Sequence, residues 1–212
     1  MTTTAAPQPA YPLTFDVDYP DRPLNRMTNA FRLVLLVPIA IVLAALTALG
    51  SSASGGDAGL VAVGGLLFLP PLLMIVFRGK YPRWWFDWNV ELMRFTNRVY
   101  AYGTLLSDRY PSTDEEQYVK LEVEYPDARE DLSRWLPLVK WFLAIPHYVA
   151  LAVLSIGALF AVVAAWFSIL FTGRYPRSLF NYVVGVMRWS NRVSAYAFLL
   201  ATDKYPPFRL SH

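Results

Sequence analysis

Most of this chain is written twice, and such a duplication restricts the fold to two similar units that pack on one another. Tyr19-Pro20-Asp21 returns as Tyr125-Pro126-Asp127, and Arg26, Arg32 and Pro38 return as Arg134, Lys140 and Pro146. Tyr81-Pro82-Arg83 is followed by Met93-Arg94-Phe95-Thr96-Asn97-Arg98-Val99-Tyr100-Ala101-Tyr102. That run returns as Tyr175-Pro176-Arg177 followed by Met187-Arg188-Trp189-Ser190-Asn191-Arg192-Val193-Ser194-Ala195-Tyr196. The repeat predicts a disordered tail over 1–10, a first membrane repeat over 11–111, a linker over 112–117 and a second membrane repeat over 118–212. The tail has neither a basic segment nor an apolar core, so it does not read as a signal peptide.

The units are apolar. Hydrophobic residues make up 55% of the chain, aromatic residues 16%, and the mean hydropathy is positive, which are membrane values. There is no cysteine, which excludes disulfides and thiolate chemistry, and two histidines offer little to a metal. A net charge of +3, carried by Arg and Lys interleaved with aromatics beside apolar runs, points to a membrane surface and away from nucleic acid.

Four apolar segments, 30–49, 59–77, 135–154 and 157–171, stand out. About 20 apolar residues cross a hydrocarbon core of about 30 Å, so the expected architecture is four transmembrane helices arranged as two hairpins, with a re-entrant hairpin as the alternative for the last two, shorter segments. The tips of these hairpins would lie over 50–57 and over Ser155-Ile156-Gly157, neither of which contains Lys or Arg. The positive-inside rule then puts both termini and the central segment of this multi-pass arrangement in the cytoplasm. Each repeat contributes an even number of spans, so the repeats would be parallel, related by an axis along the membrane normal.

Two further elements recur outside the spans. Leu13, Phe15, Val17 and Tyr19 alternate with polar residues, as do Val119, Leu121, Val123 and Tyr125, which predicts two half-buried strands capping the cytoplasmic side. They are expected to pair with each other or with Phe208-Arg209-Leu210. After each hairpin comes an aromatic amphipathic helix. In the first, Arg83, Asp87, Glu91, Arg94 and Arg98 form one polar stripe beside Trp84, Trp85 and Trp88. Such helices suit the headgroup region. The fold class is therefore mainly α and integral to the membrane, with two interfacial helices and a small β cap.

Candidate site residues are few. Arg94, Asn97 and Arg98 with Arg188, Asn191 and Arg192 are read first as structural anchors, then as headgroup contacts, then as a specific anion site, since a guanidinium fork matches phosphate oxygens. His147 is the intramembrane polar candidate, and a neutral histidine bonded to a neighbouring helix is favoured over a proton relay. Asp16 with Asp18 and Glu122 with Glu124 read as solvated strand edges rather than metal ligands. Pro38, Pro70, Pro71 and Pro146 are expected to kink or break spans. No nucleophile elbow and no phosphate-binding glycine loop occurs, so no catalytic residue, metal or cofactor is assigned.

The second repeat carries a family resemblance. Leu138-Val139-Lys140-Trp141-Phe142-Leu143-Ala144-Ile145-Pro146-His147, Phe171-Thr172-Gly173-Arg174-Tyr175-Pro176, Gly185-Val186-Met187-Arg188-Trp189, Arg192-Val193-Ser194-Ala195-Tyr196 and Asp203-Lys204-Tyr205-Pro206-Pro207-Phe208 resemble the bacterial membrane-protein family known as domain of unknown function 4389. The first repeat is a looser relative, with Phe77-Arg78-Gly79-Lys80-Tyr81-Pro82 in place of the Phe171 motif, so two tandem copies are expected. The resemblance implies an actinobacterial-type plasma-membrane protein and assigns no activity or ligand. The expected function is a non-enzymatic scaffold or accessory subunit of a cell-envelope complex, with the lipid bilayer, an anionic lipid and a membrane protein complex as partners. The alternative is a transporter or channel for a small solute, lipid or proton, with its site between the repeats.

Overall fold

The computed structural model describes residues 11–20, 22–48, 65–113 and 117–211. It is mainly helical with one two-stranded sheet. Strand β1 (Leu13–Val17) leads into helix α1 (Arg26–Ala30) and helix α2 (Arg32–Ala48). Helix α3 (Gly65–Leu73) continues as a π-helical segment, Met74–Arg78, and α4 (Arg83–Gly103) closes the first repeat. The second repeat contains β2 (Val119–Val123), a 3-10 turn at Leu136–Leu138, α5 (Lys140–Leu143), α6 (Ile145–Thr172) and α7 (Arg177–Ala197).

The two strands pair antiparallel with each other, Leu13 opposite Val123 and Val17 opposite Val119. Their alternation sorts the faces: Leu13, Phe15, Val17, Val119 and Leu121 are buried, while Asp16, Asp18 and Lys120 look outward and Lys120 Nζ holds Asp18 Oδ1 at 2.7 Å in an exposed ion pair. Beneath the sheet lie α4 and α7. The Arg94 Nε–H donates to the Leu121 carbonyl and the Arg188 Nε–H to the Phe15 carbonyl, at 3.0 and 2.9 Å. On the far side of these helices lie α2 and α6. Ile39 of α2 packs on Phe95 and Val99 of α4, and Ala144, Tyr148, Leu151 and Leu154 pack around Trp189, Val193 and Tyr196 of α7. The order is therefore sheet, amphipathic helices, apolar helices.

Four spans are not supported by the described residues. Among the described residues, α6 alone is long and apolar enough to cross a membrane; the stretches Arg32–Leu46 and Leu69–Arg78 are shorter apolar helices. The expected hairpin at Ser155-Ile156-Gly157 is replaced by helix running straight through it. Gly157 is there for close approach rather than for a turn: a Cβ at this position would lie 2.5 Å from Tyr182 Oη, which donates to the Leu154 carbonyl at 3.0 Å. The other expected tip, 50–57, lies outside the described residues, as do the tail 1–10 and the start of the second apolar segment. Nor do the amphipathic helices stand free at an interface, because α7 is sandwiched between β1 and α6. Pro146 sits in the first turn of α6, where its missing N–H is harmless, whereas Pro38, Pro70 and Pro71 lie inside helices, the last two just ahead of the π-helical segment.

Candidate functional site

The recurring polar residues converge where α4 and α7 cross. Asn97 Nδ2–H donates to Asn191 Oδ1 at 2.8 Å, and Asn191 Nδ2–H returns the bond to Asn97 Oδ1 at 2.7 Å. Each amide gives its other N–H to the carbonyl four residues earlier on its own helix, Met93 at 2.8 Å and Met187 at 2.9 Å. The two buried amides are thus satisfied by one another, and their reciprocity marks a pseudo-two-fold axis through the molecule.

The arginines on either side obey the same symmetry. Arg94 and Arg188 reach the strands as described; Arg188 also holds Asp16 at 3.0 Å and the Leu210 carbonyl at 2.9 Å, and Arg94 pairs with Glu91 at 2.5 Å. Arg98 Nη1–H donates to the Ser112 carbonyl at 3.0 Å, while Arg192 donates to the carbonyls of Arg209 and Ser211 at 3.1 and 2.7 Å. Burial lowers the Arg192 pKa from its ordinary value, with the charges of Arg209 and Arg188 adding to the effect. Tyr11 donates to the Arg192 carbonyl at 3.2 Å, and burial raises its phenol pKa against the pull of Arg192. All six residues proposed from the sequence are therefore brought together, and their hydrogen bonds run to the protein's own backbone, amides and carboxylates.

Each repeat also contains a buried cation that was not among the candidate residues drawn from the sequence. Arg32 donates to the carbonyls of Tyr102 and Ser107, pairs with Asp108 and lies 4.1 Å from the Tyr102 ring centroid. Lys140 donates to the Thr202 carbonyl at 2.7 Å, pairs with Asp203 at 2.7 Å and lies 5.2 Å from the Tyr196 ring centroid. The signal for this clamp was in the sequence: Arg32 recurs as Lys140, Tyr102 as Tyr196, and an aspartate follows each helix.

His147 stands apart from the axis. It is fully buried near the start of α6, its Nδ1 accepts from Trp189 Nε1–H at 3.2 Å, and its ring stacks on Phe208 at 4.0 Å between centroids. Nε2 has no hydrogen-bond partner among the described residues. No group of three or more metal-ligating side chains occurs among the described residues, Asp16, Asp18, Glu122 and Glu124 included.

The repeats exchange their leading segments. Tyr19 of the first repeat donates to the Tyr175 carbonyl at 2.6 Å and the Leu24 N–H to the Gly173 carbonyl at 2.9 Å; Tyr125 of the second donates to the Tyr81 carbonyl at 2.5 Å. Gly79 and Gly173, both left-handed, end the apolar helices where Arg134 and Arg26 of the opposite repeat come closest. The symmetric geometry is matched unequally by known families. Residues 134–209 match a model described as Domain of unknown function (DUF4389). The match is a single copy within the second repeat, so the expectation of two tandem family copies is corrected to one, and nothing in it carries an actinobacterial origin. No curated protein and no solved structure matches the chain.

Proposed function

We propose that the protein is a non-enzymatic membrane module that embeds the face made by α2 and α6 in a bilayer and serves as a scaffold or accessory subunit of a cell-envelope complex. The observation that carries this reading is the exposure of α6: only 11% of its most apolar 18-residue window is buried, leaving Val149, Val153, Ile156, Phe160, Val163, Phe167 and Phe171 open. A contiguous apolar face of this extent marks a membrane or protein contact. Leu33, Val34, Val37 and Ile41 of α2 are exposed likewise.

The layer order favours a helix lying in the plane of one leaflet over the multi-pass arrangement expected from hydropathy. Tyr182 meets Leu154 and Trp189 meets His147, so α7 runs antiparallel along α6, and β1 rests on the middle of α7 at Arg188. An upright α6 would carry the exposed Lys120–Asp18 pair to the depth of the hydrocarbon, where unshielded charge is costly. A flat α6 keeps the sheet in water, facing the cytoplasm in this reading. The transport alternative gains no support from the repeat interface, which is filled by the Asn97–Asn191 pair and the strands.

Native mass spectrometry after gentle extraction from the protein's own membrane tests the accessory role. A stoichiometric protein partner is the expected result; a chain that always emerges alone overturns it.

A further inference from the structure

We propose that a basic pocket at the C-terminal end of α6, formed by Arg22, Arg174 and Arg177, binds the phosphate of an anionic headgroup or of a soluble phosphate. The pocket has a volume of about 300 Å³, and Tyr19 and Gly173 complete its wall. Arg177 is held in place by the Tyr19 ring, 4.6 Å from guanidinium carbon to centroid, and Tyr19 is itself anchored to the Tyr175 carbonyl. None of the three arginines is in an ion pair with a described carboxylate. They lie at the opening of α7, whose first amides receive no side-chain cap, so backbone N–H groups add to the positive field.

The other end of the pseudo-two-fold is an internal control. There Arg83 lies 5.3 Å from the Tyr125 ring centroid, and Tyr125 bonds to the Tyr81 carbonyl, the same scaffold in the first repeat. But Arg83 has Asp87 one turn along at 3.9 Å, and the residue corresponding to Asp87 in the second repeat is Asn181. One end supplies its own counter-charge from the helix, and the other has none among the described residues. Planar guanidinium forks are the side chains suited to phosphate oxygens. The open end also adjoins the exposed Phe167 and Phe171 of α6, which sets it at headgroup depth if the membrane reading of that face holds; the lipid source of the phosphate rests on that reading, the phosphate chemistry does not.

The test uses the full chain in nanodiscs of phosphatidylcholine mixed with phosphatidylglycerol. Native mass spectrometry then counts retained phosphatidylglycerol for wild type, for R22Q/R174Q/R177Q and for the charge-matched R78Q/K80Q/R83Q at the opposite end. The expected result is a drop of about tenfold or more in the first variant and little change in the second, since only the first removes the guanidinium forks that line the pocket. Equal losses in both variants, or none in either, overturn the proposal when inorganic phosphate also fails to bind. Inorganic phosphate at fixed ionic strength is the second arm, read as a rise in melting temperature of the detergent-solubilised protein. A rise confined to proteins with the pocket intact supports the site with soluble phosphate as its source; retained phosphatidylglycerol without a rise supports it with lipid as the source. Failure of the wild type to enter nanodiscs of phosphatidylcholine alone counts against the membrane reading and leaves the inorganic phosphate arm to decide the pocket.

Discussion

The Asn97–Asn191 pair shows how a polar group is retained inside an otherwise apolar helix crossing. Each amide nitrogen has both its hydrogens engaged, one across the axis and one on its own helix. Removing one partner leaves the other unsatisfied, which costs about 1–3 kcal/mol, whereas removing both deletes donor and acceptor together. Asn191→Ala should therefore lower stability by about that amount, and Asn97→Ala with Asn191→Ala should cost less than the sum of the single changes, as a double-mutant cycle on thermal melts would measure. Strict additivity would mean that the amides do not cooperate. The identities and spacing of these residues were legible in the sequence through their recurrence. What they bond to was not, because a guanidinium that binds a backbone carbonyl and one that binds a lipid phosphate are the same residue in the same helical position.

At the scale of elements, α6 is the instructive case. Ser155-Ile156-Gly157 reads as a break because glycine lowers helix propensity by about 1 kcal/mol relative to alanine. The neighbouring helix reverses that reading, for α7 brings Tyr182 so close that a Cβ at position 157 would meet its hydroxyl at 2.5 Å unless the tyrosine shifted. Gly157→Ala is expected to destabilise the protein by about 1–3 kcal/mol through overpacking despite its better helix propensity. Tyr182→Phe, which removes the colliding hydroxyl, should recover part of the loss, and a stabilising Gly157→Ala would contradict this packing. A similar exchange separates the repeats at Glu91 and Gly185. Glu91 pairs with Arg94, whereas Gly185 leaves room for Leu210, to whose carbonyl Arg188 donates.

Two predictions belong to the whole molecule. Burial raises the phenol pKa of Tyr81 and Tyr175, and pushes that of Tyr118 up to about 12. Because the folded values exceed the unfolded value, the neutral phenols favour the fold below about pH 10 and lose that contribution as pH rises through the folded values, at about 1.4 kcal/mol per pH unit for each group. The melting temperature should hold near neutral pH and then fall steeply above pH 10. Tyr175 Oη makes no hydrogen bond among the described residues, so Tyr175→Phe should be close to neutral at pH 7 and should soften the alkaline fall. The second prediction concerns depth. The chain has no cysteine, so single cysteines carrying spin labels at Val149, Phe160 and Phe171 report position along α6 without background. A helix lying in one leaflet gives similar depths at all three; depths that pass through the bilayer centre would restore a spanning helix.

The amino-acid sequence by itself determined the features that depend on local periodicity: the repeat, two alternating strands whose partner it left open, and an amphipathic helix after each Tyr-Pro. Recurrence also exposed the residues that meet at the axis, since positions related by a two-fold must tolerate the same neighbours. Tertiary structure decided the rest. It chose which strand covers which helix, placing β1 over α7 and β2 over α4, because two similar repeats present near-equivalent docking faces and only packing selects between them. It turned the arginines inward by supplying carbonyls within reach. It also carried α6 through its apparent turn, since whether a glycine bends a chain or admits a neighbour depends on a residue 25 positions away, beyond the reach of any local pattern.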